Sequence, residues 1–136
     1  MAFSLFSFLF EDTTCFEIIK ALYGLTDNEL EILACIHNIQ NADIKAIQEI
    51  IPKDYSTLTR SLHKLVTTGL VKKAKVTLPR GGYKYQYTAL SIEEIKEKVH
   101  SLLDEIYVRM HGAISRFTEE KCRELYESVM TKYKQT

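Results

Sequence analysis

Apolar residues recur along this chain at helical spacing in four blocks, then at a spacing of two, then at helical spacing again. Phe16, Ile19, Leu22 and Tyr23 lie behind Thr14 and Glu17, which suit a capping box, and before Gly24, a natural helix stop. Thr26 and Glu29 repeat the box, with Leu25 and Leu30 placed as a hydrophobic staple. Leu30, Leu33, Ala34 and Ile36 carry this second helix to about Asn38. Asn41 is expected to cap a short third helix bearing Ile44, Ile47, Ile50 and Ile51. Pro52 stops it, because its ring disfavours helical geometry in the residue before it. Asp54 then opens a fourth helix, whose stripe Leu58, Leu62, Leu65 and Val66 runs toward Gly69.

Two helices joined by a short turn, the second polar and basic on its outer side, predict a helix-turn-helix. At 100° per residue the side opposite the leucines shows Ser56, Arg60, His63 and Thr67, flanked by Lys53, Thr57 and Lys64. Residues 70–78 alternate lysine with β-branched and aliphatic side chains, and Tyr83, Tyr85, Tyr87 and Ala89 keep a strict period of two. Between these runs Pro79, Arg80, Gly81 and Gly82 make a turn, so a β-hairpin with an arginine at its tip is expected. The three tyrosines are read as its inward face; a base-stacking platform for single-stranded RNA is the alternative.

Ser91 and Glu94 form a third capping box, opening a long helical pattern. Ile92, Ile95, Val99, Leu102 and Ile106 step by three and four, as a coiled-coil seam does. The seam continues through Met110, Ala113 and Phe117 after one stutter, and Leu125, Val129 and Tyr133 extend the stripe. Gly112 weakens the helix locally by about 1 kcal/mol relative to alanine. A stripe of this length needs a partner, and a second copy of the chain supplies it.

Charge sharpens the picture. Lysine plus arginine and aspartate plus glutamate number 18 each, giving a formal net charge of zero. Yet residues 53–84 hold eight basic residues against a single acid, Asp54, while the rest of the chain is acidic. A neutral protein that gathers its positive charge in one contiguous stretch builds a local field for a polyanion. A merely solvated basic face is the competing reading.

The apolar opening MAFSLFSFLF has neither the basic flank nor the cleavage site of a secretory signal, and it is read as an arm packed onto the protein (residues 1–13) rather than a membrane anchor. No apolar run approaches the roughly 18 residues of a membrane span, so a cytoplasmic protein is expected. Cys15, Cys35 and Cys122 are odd in number and far apart, which argues against a disulfide framework or a zinc site. Lying on or beside apolar stripes, they are read as buried structural thiols. His100 and Asp104 could make half a metal site on one helix, but neither these nor His37, His63 and His111 have metal-ligand spacing, so no metal or other cofactor is expected. With no phosphate loop or nucleophile elbow, no enzyme is expected either.

The order of elements, helix, helix-turn-helix, basic hairpin and long helix, is that of a winged helix with a dimerisation helix. The string YSTLTRSLHKLVTTGLVKKA (residues 55–74) resembles the recognition helix and first wing strand of MarR-type and TrmB-type regulators, and LTDNELEIL (residues 25–33) resembles the helix before them. The short wing and single long C-terminal helix are most similar to archaeal Lrs14-like regulators. The resemblance implies a mainly α fold with a small β-hairpin wing: a winged helix-turn-helix domain over residues 14–90 and a helical dimerisation segment over 91–136. It also implies that Ser56, Thr57 and Arg60 enter the major groove of double-stranded DNA and that Arg80 meets the minor groove or backbone.

Together these readings give a recognition-helix set of Lys53, Ser56, Thr57, Arg60, His63 and Lys64, and a wing set of Lys72, Lys73, Lys75, Arg80 and Lys84. The dimer interface is expected at Ile92, Ile95, Val99, Leu102, Ile106, Met110, Ala113 and Phe117. The expected function is that of a homodimeric, sequence-specific regulator of transcription. The alternative is a winged-helix module that binds an acidic protein partner, which would have no need to place its charge on both recognition helix and wing.

Overall fold

The computed structural model describes residues 5–9 and 14–134. Residues 1–4 and 10–13 of the expected arm lie outside the described residues; residues 5–9 form a short 3₁₀ helix in which Leu5, Phe6 and Leu9 are exposed. Among the described residues six α-helices and one hairpin follow. They are α1 (Cys15–Tyr23), α2 (Asp27–Ile39), α3 (Ile44–Ile50), α4 (Tyr55–Thr68), β1 (Val71–Thr77), β2 (Tyr83–Ala89), α5 (Ile92–Ser115) and α6 (Glu119–Lys134). The fold is therefore mainly α with a two-stranded antiparallel wing, as the sequence predicts. Packing divides the chain into two compact units, one ending at Val99 and the other beginning at His100.

Local chemistry sets most boundaries in the first unit. Thr26 Oγ1 accepts from the Glu29 N–H while Glu29 Oε1 accepts from the Thr26 N–H, so the capping box of α2 is complete. Ser91 and Glu94 close the same reciprocal pair at the start of α5. Asp54 caps α4, and Gly69 ends it in the left-handed conformation at φ 84°. The core gathers Ile32 and Ile36 of α2, Ile47 of α3, Leu58, Leu62 and Leu65 of α4, and Leu70 and Val71 at the root of the wing, all essentially without solvent contact.

Four expectations need correction. Asp43, not Asn41, caps α3: its carboxylate accepts from the Ala46 N–H at 2.8 Å. Ala42 is stitched to Tyr87 by two backbone hydrogen bonds, of 3.0 and 2.8 Å, so the chain there is extended and a helix begins only afterwards. Asn41 instead accepts from the Thr88 hydroxyl at 2.9 Å. α5 runs through Gly112 but stops at Ser115, where a turn closed by Arg116 N–H to Ala113 and Phe117 N–H to Ile114 breaks the stripe. Thr118 then caps α6 by accepting from the Lys121 N–H, so Phe117 stands in the turn rather than on a continuous seam. Among the hairpin tyrosines only Tyr87 points into the core; Tyr83 and Tyr85 are exposed. Of the thiols, Cys15 and Cys122 are exposed, each on a helix that buries no residue, and only Cys35 is half-buried, where burial pushes its pKa up.

Candidate nucleic-acid interface

α4 presents Ser56, Arg60, His63 and Thr67 to solvent on the side away from its buried leucines, and Lys53, just before its cap, is exposed too. Thr57, half-buried, is drawn into the cap: its hydroxyl donates to Asp54, and that hydrogen bond leads the interactions holding the Asp54 carboxyl below its usual range. Lys64 turns away from the outer face. Its ammonium group donates to Glu29 Oε1 at 2.9 Å and to the Gly24 carbonyl, tying α4 to the α1–α2 turn. Burial works against a charged Glu29, but the Thr26 N–H and Lys64 outweigh it and hold its pKa below the usual carboxylate range.

The wing repeats this arrangement. Lys84 Nζ lies 3.1 Å from Asp43 Oδ2, fixing β2 to the cap of α3. The Ala46 N–H and then Lys84 hold the Asp43 carboxyl below its usual range. Two of the eight basic residues in the positive stretch, Lys64 and Lys84, are thus joined to acids of the scaffold. Lys53, Arg60, Lys72, Lys73, Lys75 and Arg80 remain exposed.

Alternation divides the wing's lysines between its two faces. Lys73 pairs with Tyr87 and Lys75 with Tyr85 on one face, whereas Lys72 pairs with Thr88 on the other and lies near Glu94 of α5. The first face meets α4 across an open concavity of about 470 Å³ lined by Thr59, Arg60, His63, Val66, Lys73 and Tyr87. α4 and the wing therefore share one hollow, to which α4 contributes Arg60 and the wing Lys73. Thr59, Tyr83 and Tyr85 are absent from the sequence-predicted set. Pairing the two strands by parity would have placed both tyrosines beside Lys73 and Lys75. The tip is a turn closed by the Gly81 N–H on the Leu78 carbonyl and the Leu78 N–H on the Gly82 carbonyl; Gly81 and Gly82 take φ of 92° and 79°, and Arg80 is exposed.

The expected association seam is divided. Ile95, 8% exposed, belongs to the core of the first unit and Val99 packs against that core, so both are occupied within the chain. Leu102 and Ile106 are half-buried, and Ile92, Met110, Ala113 and Phe117 are exposed. In the second unit a different row is open: Leu103, Tyr107, Met110 and Ile114 step by four, three and four along α5. Leu125, Val129 and Tyr133 are exposed along α6. No helix among the described residues is long and apolar enough to cross a membrane.

Comparison with known proteins agrees with this architecture. The chain is 26% identical over 105 residues to the uncharacterized protein MJ1082 of Methanocaldococcus jannaschii, covering 77% of this chain and 87% of that protein. Among solved structures it is similar to a possible transcriptional regulator from Methanosarcina mazei Go1, with TM-score 0.67 and 22% identity over 80% of this chain and 97% of that one. The ST1889 protein of Sulfolobus tokodaii matches with TM-score 0.54 and 24% identity, over 69% of this chain and 92% of that one. Both share the fold. The sequence pattern of the penicillinase repressor family matches residues 25–133, from the turn before α2 to the last turn of α6, and the chain belongs to that family.

Proposed function

We infer that this protein is a homodimeric regulator of transcription that binds double-stranded DNA, with α4 in the major groove and the wing on the minor groove or backbone. One observation carries the reading: the exposed Arg60 face of α4 and the lysine-bearing face of the wing open onto the same hollow. Helices fit the major groove, an arginine there reads guanine through two hydrogen bonds, and lysines along the flank neutralise phosphates. The fold shared with a possible transcriptional regulator supports it. Residues 14–90, with the first turns of α5 packed on them, form the DNA-binding part. The open apolar rows beyond His100 are the surface through which two copies associate, and a two-fold dimer carries two copies of α4 for two half-sites.

A gel shift on a generic duplex at two salt concentrations tests the reading, followed by selection of bound sequences from a random duplex pool. With about six phosphates contacted per dimer, log affinity falls against log salt with a slope near −5. A slope near zero removes the polyanion role of this face and favours a protein partner instead.

A further inference from the structure

The wing face that carries Tyr87 into the core continues outward beyond it. In the β1–β2 register Lys73 stands opposite Tyr87, Lys75 opposite Tyr85 and Thr77 opposite Tyr83, and directly opposed side chains share a face. Exposure rises along this row, from 4% at Tyr87 to 37% at Tyr85 and 52% at Tyr83. Each lysine leans one step toward the tip: Lys73 Nζ lies 4.0 Å from the centroid of the Tyr85 ring, and Lys75 Nζ 4.0 Å from that of Tyr83. The two rings meet edge to face with centroids 5.4 Å apart. Among the described residues neither lysine takes part in an ion pair, in contrast to Lys64 and Lys84. Lys73 also lines the hollow with Arg60 and His63, so the row begins where the exposed face of α4 ends.

These rings are not needed by the core, yet each holds a cation. A free lysine on a hairpin samples many rotamers and loses them on meeting a phosphate. An ammonium group resting on an aromatic face has part of that freedom removed beforehand. Residues two apart in a strand are about 6.8 Å apart, a separation that suits successive phosphates of one strand.

We propose that Tyr83 and Tyr85 are positioning residues that hold the Lys73 and Lys75 ammonium groups in a row for neighbouring phosphates of one DNA strand. The rings act through the lysines and take no base. This proposal rests on the reading of the α4–wing hollow as a duplex-binding surface.

The test uses the full chain, a mixed-sequence 30-base-pair duplex and a 30-nucleotide thymidine single strand, with affinities measured by fluorescence anisotropy over a series of salt concentrations. Replacing both tyrosines by phenylalanine keeps the rings, and duplex affinity stays within about twofold of the native chain. Replacing both by leucine weakens duplex binding by roughly two- to fivefold per ring. Its salt slope stays near that of the native chain, because the charges remain. Lys73→Gln with Lys75→Gln instead lowers the slope by about one for each lysine lost from a contacting wing. In the free protein, the ε-methylene protons of both lysines are shifted upfield by ring currents in the native and phenylalanine forms, and return to ordinary positions in the leucine form.

Three results overturn the proposal while leaving duplex binding intact. They are a phenylalanine form as weak as the leucine form, a leucine form that loses only the single strand, and a glutamine form with an unchanged slope. A native chain that leaves the duplex unbound, with the ring-current shifts present, overturns the parent reading and this proposal together.

Discussion

Lys64 and Glu29, 35 residues apart in the chain, meet with Nζ 2.9 Å from Oε1 on the side of α4 that faces the scaffold. Glu29 simultaneously completes the capping box of α2, so one carboxylate fixes the start of one helix and the orientation of another. Lys84 and Asp43 do the same for the wing and the start of α3. In both cases a lysine within the positive stretch serves to aim the exposed cations.

The two partners of the first pair should respond unequally to substitution. Glu29→Gln keeps an acceptor for the Thr26 N–H and leaves a partly exposed lysine that water can solvate, at a cost of about 1 kcal/mol. Lys64→Met leaves a carboxylate that is only 8% exposed without its cation, and costs about 2 kcal/mol. The double variant should recover part of that loss, because the unpaired charge is gone. Urea unfolding of the four chains decides it; equal single losses that simply add would show that the two groups do not interact.

Acid should loosen the same contacts. Glu29 and Asp43 have pKa values lowered in the folded state. Their contribution is therefore fully present above the unfolded-chain values of about 4.3 and 3.9, and is lost as pH falls through the lower folded values. Unfolding midpoints of the native chain should drop steeply below about pH 4, and those of Glu29→Gln with Asp43→Asn less steeply. Parallel curves for the two proteins would refute the assignment.

How far these features were legible depended on the range of the physics involved. Caps, stops and the leucine stripe of α4 are local, and Thr26, Asp54, Gly69 and Ser91 announce their helices from within four residues. Asn41 misled because Ala42 is committed to β2, a partner 45 positions further on, and helix propensity cannot see that pairing. The inward direction of Lys64 has the same origin, since nothing in residues 55–68 shows that Glu29 lies beneath. The wing tyrosines obey a period of two, but whether a face is covered depends on how far the hairpin projects beyond the core. Thr118 followed by Glu119 and Glu120 was a readable helix start; the apolar stripe ran across it and concealed the break at Ser115.

Charge removal should sort the lysines by their partners. Lys53→Gln removes an exposed cation beside the start of α4, and is expected to lower the salt slope of duplex binding. Lys84→Gln removes a cation already paired with Asp43, so it should leave the slope nearly unchanged. Its effect belongs in hydrogen exchange, where the Tyr87 amide, bonded to the Ala42 carbonyl at 2.8 Å, should exchange faster. A slope change for Lys84→Gln as large as that for Lys53→Gln would mean that the ion pair opens on binding.

Association and folding should separate along α5. Ile95 is part of the core, so Ile95→Ala is expected to cost about 2–4 kcal/mol in unfolding without altering the oligomeric state of the folded chain. Ile114 is 65% exposed in the open apolar row, so Ile114→Glu should cost little folding stability and leave a monomer at micromolar concentration, where the native chain is expected to dimerise. Sedimentation velocity reads the second effect. An Ile114→Glu chain that sediments as a dimer would move the interface elsewhere, with the α6 row as the next surface to alter.

The two arginines of the exposed set should affect different properties of bound DNA. Arg60 projects from the middle of α4 into the hollow, and among the described residues no ion pair engages it. A rigid helix can hold its guanidinium against a base edge, where a bidentate contact with guanine contributes roughly 1–3 kcal/mol of discrimination. Arg60→Ala is therefore expected to weaken the selected site and to relax the preference at one position in each half-site, with half-sites about 10 base pairs apart or a multiple of that. Arg80 stands on a two-glycine tip, where reach is long and orientation loose, which suits a narrow minor groove or its phosphates. Arg80→Ala should lower affinity while shifting mainly the preference for flanking A·T pairs. Footprinting of both variants on the selected site, with selection repeated for each, distinguishes the roles. If Arg60→Ala selects the same sequences as the native chain, base reading lies elsewhere on α4, and Ser56 and His63, exposed on the same side, become the residues to replace next.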